Sequence, residues 1–112
     1  MSARLYFVVP CYNEEEVLPE TVKRLGEKLM ELVSAGKISP DSRVLFVDDG
    51  SADKTWDMIR ALCREDGRFC GISLSRNRGH QNALLAGLEA ARGRADMAIS
   101  MDADLQDDIG AA

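Results

Sequence analysis

Four short apolar runs punctuate the chain: LYFVV (5–9), expected to end at Pro10, VLFV (44–47), FCGISL (69–74) and DMAISM (96–101). Three longer stretches with helical spacing separate them. From Glu15 to about Ser34, apolar residues recur at Val17, Leu18, Val22, Leu25, Leu29, Leu32 and Val33, which is one face of a helix. Pro19 fits only in a first turn, so the spacing predicts a helix starting near Glu16. GKISPDS (36–42) reads as a loop on composition. Ser51 or Asp53 is expected to cap a second helix carrying Trp56, Ile59, Leu62 and Cys63 on one face. A third helix is predicted over 79–91, stopped by Gly93. Strands and helices that alternate in this way, with strands apolar along their length, form a parallel sheet covered by helices on both faces. The fold class is therefore α/β, in a single domain.

Such sheets bind ligands outside the carboxyl ends of their strands, near the point where strand order reverses. The residues that follow the four runs are PCYNEEE, DDGSADKT, SRNRGH and DADLQDD. Every conspicuous polar cluster thus falls on one edge of the predicted sheet, which argues for a single site.

Each cluster has a functional and a structural reading. Asp102 and Asp104 lie two residues apart just past a strand, so an extended backbone points both to one side. Hard oxygen ligands at that spacing suit Mg²⁺ or Mn²⁺, which share their remaining positions with water and substrate phosphates. The structural alternative is a solvated loop in which Asp107 and Asp108 cap a following helix. Of Asp48 and Asp49, one is expected to accept hydrogen bonds from a base or ribose and the other to brace the turn through Gly50 and Ser51. Tyr12 can stack on a nucleobase and Glu14 can reach a ribose. Alternatively, Asn13 caps the first helix and Glu14, Glu15 and Glu16 complement its positive end. Arg76 is the better phosphate candidate in SRNRGH, because guanidinium groups bind phosphate through a fork of donors. His80 is more simply read as packing or surface.

Composition narrows the partners. The chain has 112 residues, with 46% hydrophobic and 29% charged, an ordinary globular mixture. A net charge of −5 argues against nucleic acid as the main partner and leaves a polyanionic ligand in need of a cation. Cys11, Cys63 and Cys70 are odd in number and lack metal-ligand spacing, which fits reduced thiols in a cytoplasmic compartment. No run approaches the roughly 18 apolar residues of a membrane span. No Walker-type or G-x-G-x-x-G loop occurs.

Together, VVPCYNEEEVL, FVDDGSADKT, LSRNRGHQNAL and MDADLQDD resemble the nucleotide-sugar-binding half of a family 2 glycosyltransferase, in the expected order and over nearly the whole chain. RNRGHQNAL and DADLQD are most similar to the polyisoprenyl-phosphate glycosyltransferases, the group of dolichyl-phosphate mannose synthase and bactoprenol glucosyl transferase. The resemblance implies a GT-A fold with a Rossmann-like donor-binding half. It implies that Pro10, Tyr12 and Glu14 hold the nucleoside, that Asp49 contacts the base with Asp48 as its structural neighbour, and that Arg76 approaches the diphosphate. Asp102 and Asp104 match the Asp-x-Asp motif that binds Mg²⁺ or Mn²⁺, with Asp104 the better ligand and Gln106 close by. The implied reaction is inverting transfer of a sugar from a UDP- or GDP-linked donor to a polyisoprenyl phosphate, at the cytoplasmic face of the membrane and in the service of the cell envelope. An acceptor that is already an anion needs no general base.

Such transferases continue well past the Asp-x-Asp motif, so residues 1–112 are expected to be the N-terminal, donor-binding part of a longer domain, inactive in transfer alone. Acceptor recognition and membrane contact then belong to sequence that follows. Three other readings compete. A phosphoacceptor signalling domain wants its paired aspartates after the first strand, whereas Asp48 and Asp49 follow the second. A nucleotidyltransferase of related architecture wants a glycine-rich basic loop where PCYNEEE stands. A non-catalytic nucleotide-binding module is distinguished by turnover.

Overall fold

The computed structural model describes residues 3–74, 76 and 79–100, and of His80 the backbone alone. In chain order the elements are β1 (Leu5–Cys11), α1 (Leu18–Ser34), β2 (Arg43–Asp48), α2 (Thr55–Glu65), β3 (Phe69–Ser73), α3 (His80–Ala91) and β4 (Met97–Ser100). All four strands are parallel, in the order β3-β2-β1-β4. The α/β class and the parallel sheet match the sequence expectation.

Helices cover both faces, as alternation along the strands requires. On one face Leu5, Phe7, Val9, Val44, Phe46 and Phe69 pack with Leu18, Leu25 and Leu29 of α1 and Ile59 of α2. The predicted α2 stripe of Trp56, Leu62 and Cys63 joins this cluster. The rings of Phe46 and Phe69 lie parallel with centroids 6.0 Å apart. On the other face Tyr6, Val8, Leu45 and Val47 pack against Ala83 and Ala91 of α3. Helix α3 can approach because its central residue is Gly87. A Cβ there would stand 2.4 Å from Val8 Cγ1 and 2.7 Å from Val47 Cγ2. Burial of each large apolar side chain contributes roughly 1.5–3 kcal/mol, so β1 and β2, buried along almost their whole length, anchor the fold.

Three boundaries differ from expectation. Strand β1 does not stop before Pro10 but continues to Cys11, with Pro10 paired to Val47. Alternation turns the N–H groups of Leu5, Phe7, Val9 and Cys11 toward β2, so the donor that Pro10 lacks falls on the β4 side, past the last described pair of Val8 and Ser100. Helix α1 starts at Leu18, not near Glu16, although Pro19 does sit in its first turn. Residues 13–16 are held by another loop and reach the helix through a turn in which the Glu14 carbonyl accepts from Val17 and Leu18 N–H. Strand β4 is short, all four of its residues are exposed, and among the described residues it pairs with β1 alone. No helix among the described residues is long and apolar enough to cross a membrane.

Candidate functional site

The strand order places the reversal between β1 and β4. From β1 the chain adds β2 and then β3 on one side, and it returns to add β4 on the other. The crevice expected in such sheets therefore belongs at the carboxyl ends of β1 and β4. The loop after β1 carries Tyr12, Asn13 and Glu14.

That loop is bound to the β2–α2 loop by a reciprocal set of hydrogen bonds. Three consecutive amides donate across it. Asn13 N–H reaches Ser51 Oγ at 2.9 Å, Glu14 N–H reaches Thr55 Oγ1 at 2.8 Å, and Glu15 N–H reaches Asp53 Oδ2 at 3.2 Å. In return Asn13 Oδ1 accepts from Ala52 N–H at 2.8 Å and, more weakly, from Asp53 N–H at 3.4 Å. Asp53 Oδ1 also accepts from the Thr55 N–H at 2.9 Å and from the Thr55 hydroxyl, which fixes the acceptors themselves. Asn13 adopts φ +51°, a left-handed conformation that asparagine tolerates better than most residues.

These contacts correct the expected caps. Asn13 does not cap α1, whose N-cap is Val17 without a side-chain bond. The N-cap position of α2 is Lys54, but Asp53 Oδ1 does accept from the N–H of Thr55, the first residue of α2, as an expected cap would. Ser51 Oγ and Asp53 Oδ2 serve the loop after β1. Residues of capping type signalled polar backbone partners, but sequence alone showed only neighbours within a turn, and the actual partners lie 38 to 41 positions away.

Beneath the loops lie two buried carboxylates. Asp48 Oδ2 accepts from Ser51 N–H at 3.2 Å, so Asp48 braces the turn, in which Gly50 has φ +70°. Its Oδ1 is buried and has no hydrogen-bond partner among the described residues. Asp49 is also buried, and its N–H donates to the Cys11 carbonyl at 2.8 Å. Cys11 pairs with Asp48 across the strands. Burial pushes the Cys11 thiol far up, and the carboxylates of Glu14 and Asp48 push it further, so it stays a neutral thiol. Cys11, Cys63 and Cys70 are all free. Desolvation is the largest single influence on Asp53 and raises its pKa. The hydrogen bonds from Thr55, Glu15 and its own amide together outweigh it and hold the carboxyl below the ordinary aspartate value.

The remaining candidates sit as follows. Pro10 is buried within β1, so any part it plays is through backbone shape. Tyr12 is 46% exposed on the loop after β1. Glu14 is half-buried and lines an open cleft of about 220 Å³ together with Asn13, Glu15, Glu16, Val17 and Asp53. Arg76 is exposed on the connection from β3 to α3, whose start is fixed where Leu74 N–H donates to the Asp48 carbonyl at 2.9 Å. Asp102, Asp104 and Gln106 lie outside the described residues, as does the side chain of His80. Among the described residues no cluster of three or more His, Cys, Asp or Glu is arranged to hold a metal.

The family model described as glycosyl transferase family 2 matches residues 6–111. The chain belongs to this family. Membership displaces the phosphoacceptor and nucleotidyltransferase readings. The chain is 51% identical over 105 residues to YkoT, a glycosyltransferase of Bacillus subtilis strain 168 named as uncharacterized, covering 94% of this chain and 31% of that protein. It is 41% identical over 100 residues to undecaprenyl-phosphate 4-deoxy-4-formamido-L-arabinose transferase of Shewanella sediminis, covering 88% of this chain and 28% of that protein. The family 2 chain thus spans about a third or less of the length of these relatives. Among solved structures, it resembles the mannosyltransferase PcManGT of Pyrobaculum calidifontis in complex with GDP-Man and Mn²⁺, with a TM-score of 0.75 at 23% identity over 93% of this chain and 28% of that one. It also resembles S. aureus TarS 1-349 in complex with UDP, with a TM-score of 0.70 at 22% identity over 90% of this chain and 27% of that one. These likenesses show that the sheet and its helices have the fold of the nucleotide-binding part of glycosyltransferases.

Proposed function

We propose that residues 1–112 form the donor-binding part of a metal-dependent, inverting glycosyltransferase that moves a sugar from a UDP- or GDP-linked donor to a polyisoprenyl phosphate. The observation that carries this reading is the clamp between the loops after β1 and β2, at the edge of the sheet where strand order reverses. It joins Tyr12 and Glu14 to the turn containing Asp49 and makes one preformed surface from residues far apart in sequence. Family membership and a relative named for transfer to undecaprenyl phosphate support the choice of reaction and acceptor. The Mn²⁺ and GDP-Man named with PcManGT support the choice of cofactor and donor class.

In this reading Tyr12 stacks on the base, Asp49 accepts its N–H groups, Glu14 accepts from the ribose, and Pro10 sets the course of the backbone into the loop. Arg76 approaches the diphosphate. Asp102 and Asp104, with Gln106, would hold Mg²⁺ or Mn²⁺, and their oxygen donors are of the type both ions prefer. The cation would neutralise charge on the departing diphosphate, a need made acute by the carboxylates of Glu14, Glu15, Glu16 and Asp53 around the cleft. An acceptor phosphate oxygen attacks the anomeric carbon from the face opposite the diphosphate, so the bond to the diphosphate breaks as the new C–O bond forms and the centre inverts. The attacking oxygen carries no proton, and no base is required. The reaction belongs at the cytoplasmic face of the membrane, where nucleotide sugars are made.

The test is transfer. Radiolabelled UDP- and GDP-sugars are incubated with a longer polypeptide that contains residues 1–112 and the acceptor-binding region, Mn²⁺ and a polyisoprenyl phosphate in detergent, and label is counted in the organic phase. Label that moves from one donor and disappears in Asp104→Ala supports the reading. Binding of a nucleotide without transfer to any acceptor would instead favour a non-catalytic nucleotide-binding module.

A further inference from the structure

We propose that Asn13 is a positioning residue for the donor nucleoside, acting through the two residues that flank it. This rests on the donor-site reading above. Asn13 both donates and accepts across the two loops: its N–H goes to Ser51 Oγ and its Oδ1 receives Ala52 N–H and, at longer range, Asp53 N–H. Its left-handed backbone, at φ +51°, bends the chain between Tyr12 and Glu14. Tyr12 is thereby turned outward at the sheet edge, while the next amide, Glu14 N–H, is seated on Thr55 Oγ1 and the one after it on Asp53 Oδ2. The bonds of Asn13, with those of the two amides that follow it, therefore set the spacing between Tyr12, Glu14 and the turn that bears Asp49. A ligand that touches all three meets a surface already ordered, and ordering that would otherwise accompany binding has been done by folding.

Two substitutions separate the parts of this device. Asn13→Gly keeps the left-handed backbone and removes the acceptor. Asn13→Asp keeps both, since aspartate also tolerates this conformation and offers an oxygen to Ala52 N–H. Ser51→Ala removes the opposite half of the reciprocal pair and serves if Asn13→Gly folds poorly. Affinities are measured by calorimetry for UDP and GDP with Mn²⁺, and for inorganic pyrophosphate with Mn²⁺, well below each variant's melting temperature.

The expected result is that Asn13→Gly weakens the preferred nucleoside diphosphate on the order of tenfold, as for loss of a well-placed hydrogen bond. Pyrophosphate binding should be unchanged and Asn13→Asp should recover most of the loss. In a double-mutant cycle, Asn13→Gly should cost less once Tyr12 is alanine, because part of its effect passes through that ring. Equal weakening of nucleotide and pyrophosphate would mark Asn13 as merely structural and overturn the proposal, as would unchanged nucleotide affinity or full additivity with Tyr12→Ala. A parent chain that binds neither UDP nor GDP fails before any variant is made and overturns the donor-site reading itself.

Discussion

The two sides of the strand-order reversal are built differently. On the β1–β2 side, strands are buried on both faces and their loops are stitched together by reciprocal hydrogen bonds between residues 13–15 and 51–55. On the β4 side, every strand residue is exposed, with Met97 at 51% and Ile99 at 45%, and among the described residues pairing is to β1 alone. The contrast separates two tasks. Recognition of a rigid nucleoside gains from a surface fixed in advance, and the β1–β2 side has that character. The β4 side leads in sequence into the acidic segment proposed to meet a cation and a diphosphate, where charge rather than shape dominates.

Substitutions that compare the two sides should follow this difference. The largest effect is expected in the strand beneath the clamp. Phe46→Ala removes a fully buried ring stacked on Phe69 and should cost about 3–5 kcal/mol in denaturant unfolding. Next comes the clamp itself. Thr55→Val keeps the shape but leaves Glu14 N–H without its acceptor, and a loss of about 1–3 kcal/mol is expected. A loss below 0.5 kcal/mol, on the order of an ordinary surface change, would mean that the two loops are not mutually supported.

Acid sharpens the same point. The folded-state pKa of Asp53 is depressed, so its contribution to stability is present above the unfolded value of about 3.9 and is lost as pH falls through the lower folded value. Asp53→Asn should therefore flatten the acid limb of the stability profile below about pH 4 while leaving its neutral shape unchanged. The smallest effect belongs to β4. Ile99→Ser should cost no more than about 1 kcal/mol, because only about half of the residue is removed from water. A cost comparable to that of Phe46→Ala would erase the distinction between the two sides.

What could be read from sequence follows the range of the forces involved. The apolar periodicities of α1 and of the strands reflect burial of each element's own face, and the stripe through Trp56, Ile59 and Leu62 was visible for that reason. The carboxyl-edge rule likewise needed only the order of elements, so the location of the candidate site was legible. The bonds by which Asn13, Ser51 and Asp53 join the two loops were not. Their residue types suit a helix cap and a loop staple equally, and only tertiary structure decides which amide is near. Pro10 misled for a related reason. A proline ends a strand only where its missing donor would be needed, and which neighbour lies on that side depends on sheet order.

The most direct test of the central claim is calorimetric titration of the chain with UDP and GDP, each with and without Mn²⁺. One nucleotide should bind, more tightly with Mn²⁺, and Asp104→Ala should weaken it at least on the order of tenfold while Ile99→Ser leaves it unchanged. Absence of binding by both nucleotides in the presence of Mn²⁺ would contradict the assignment of this sheet edge to a nucleoside-diphosphate donor.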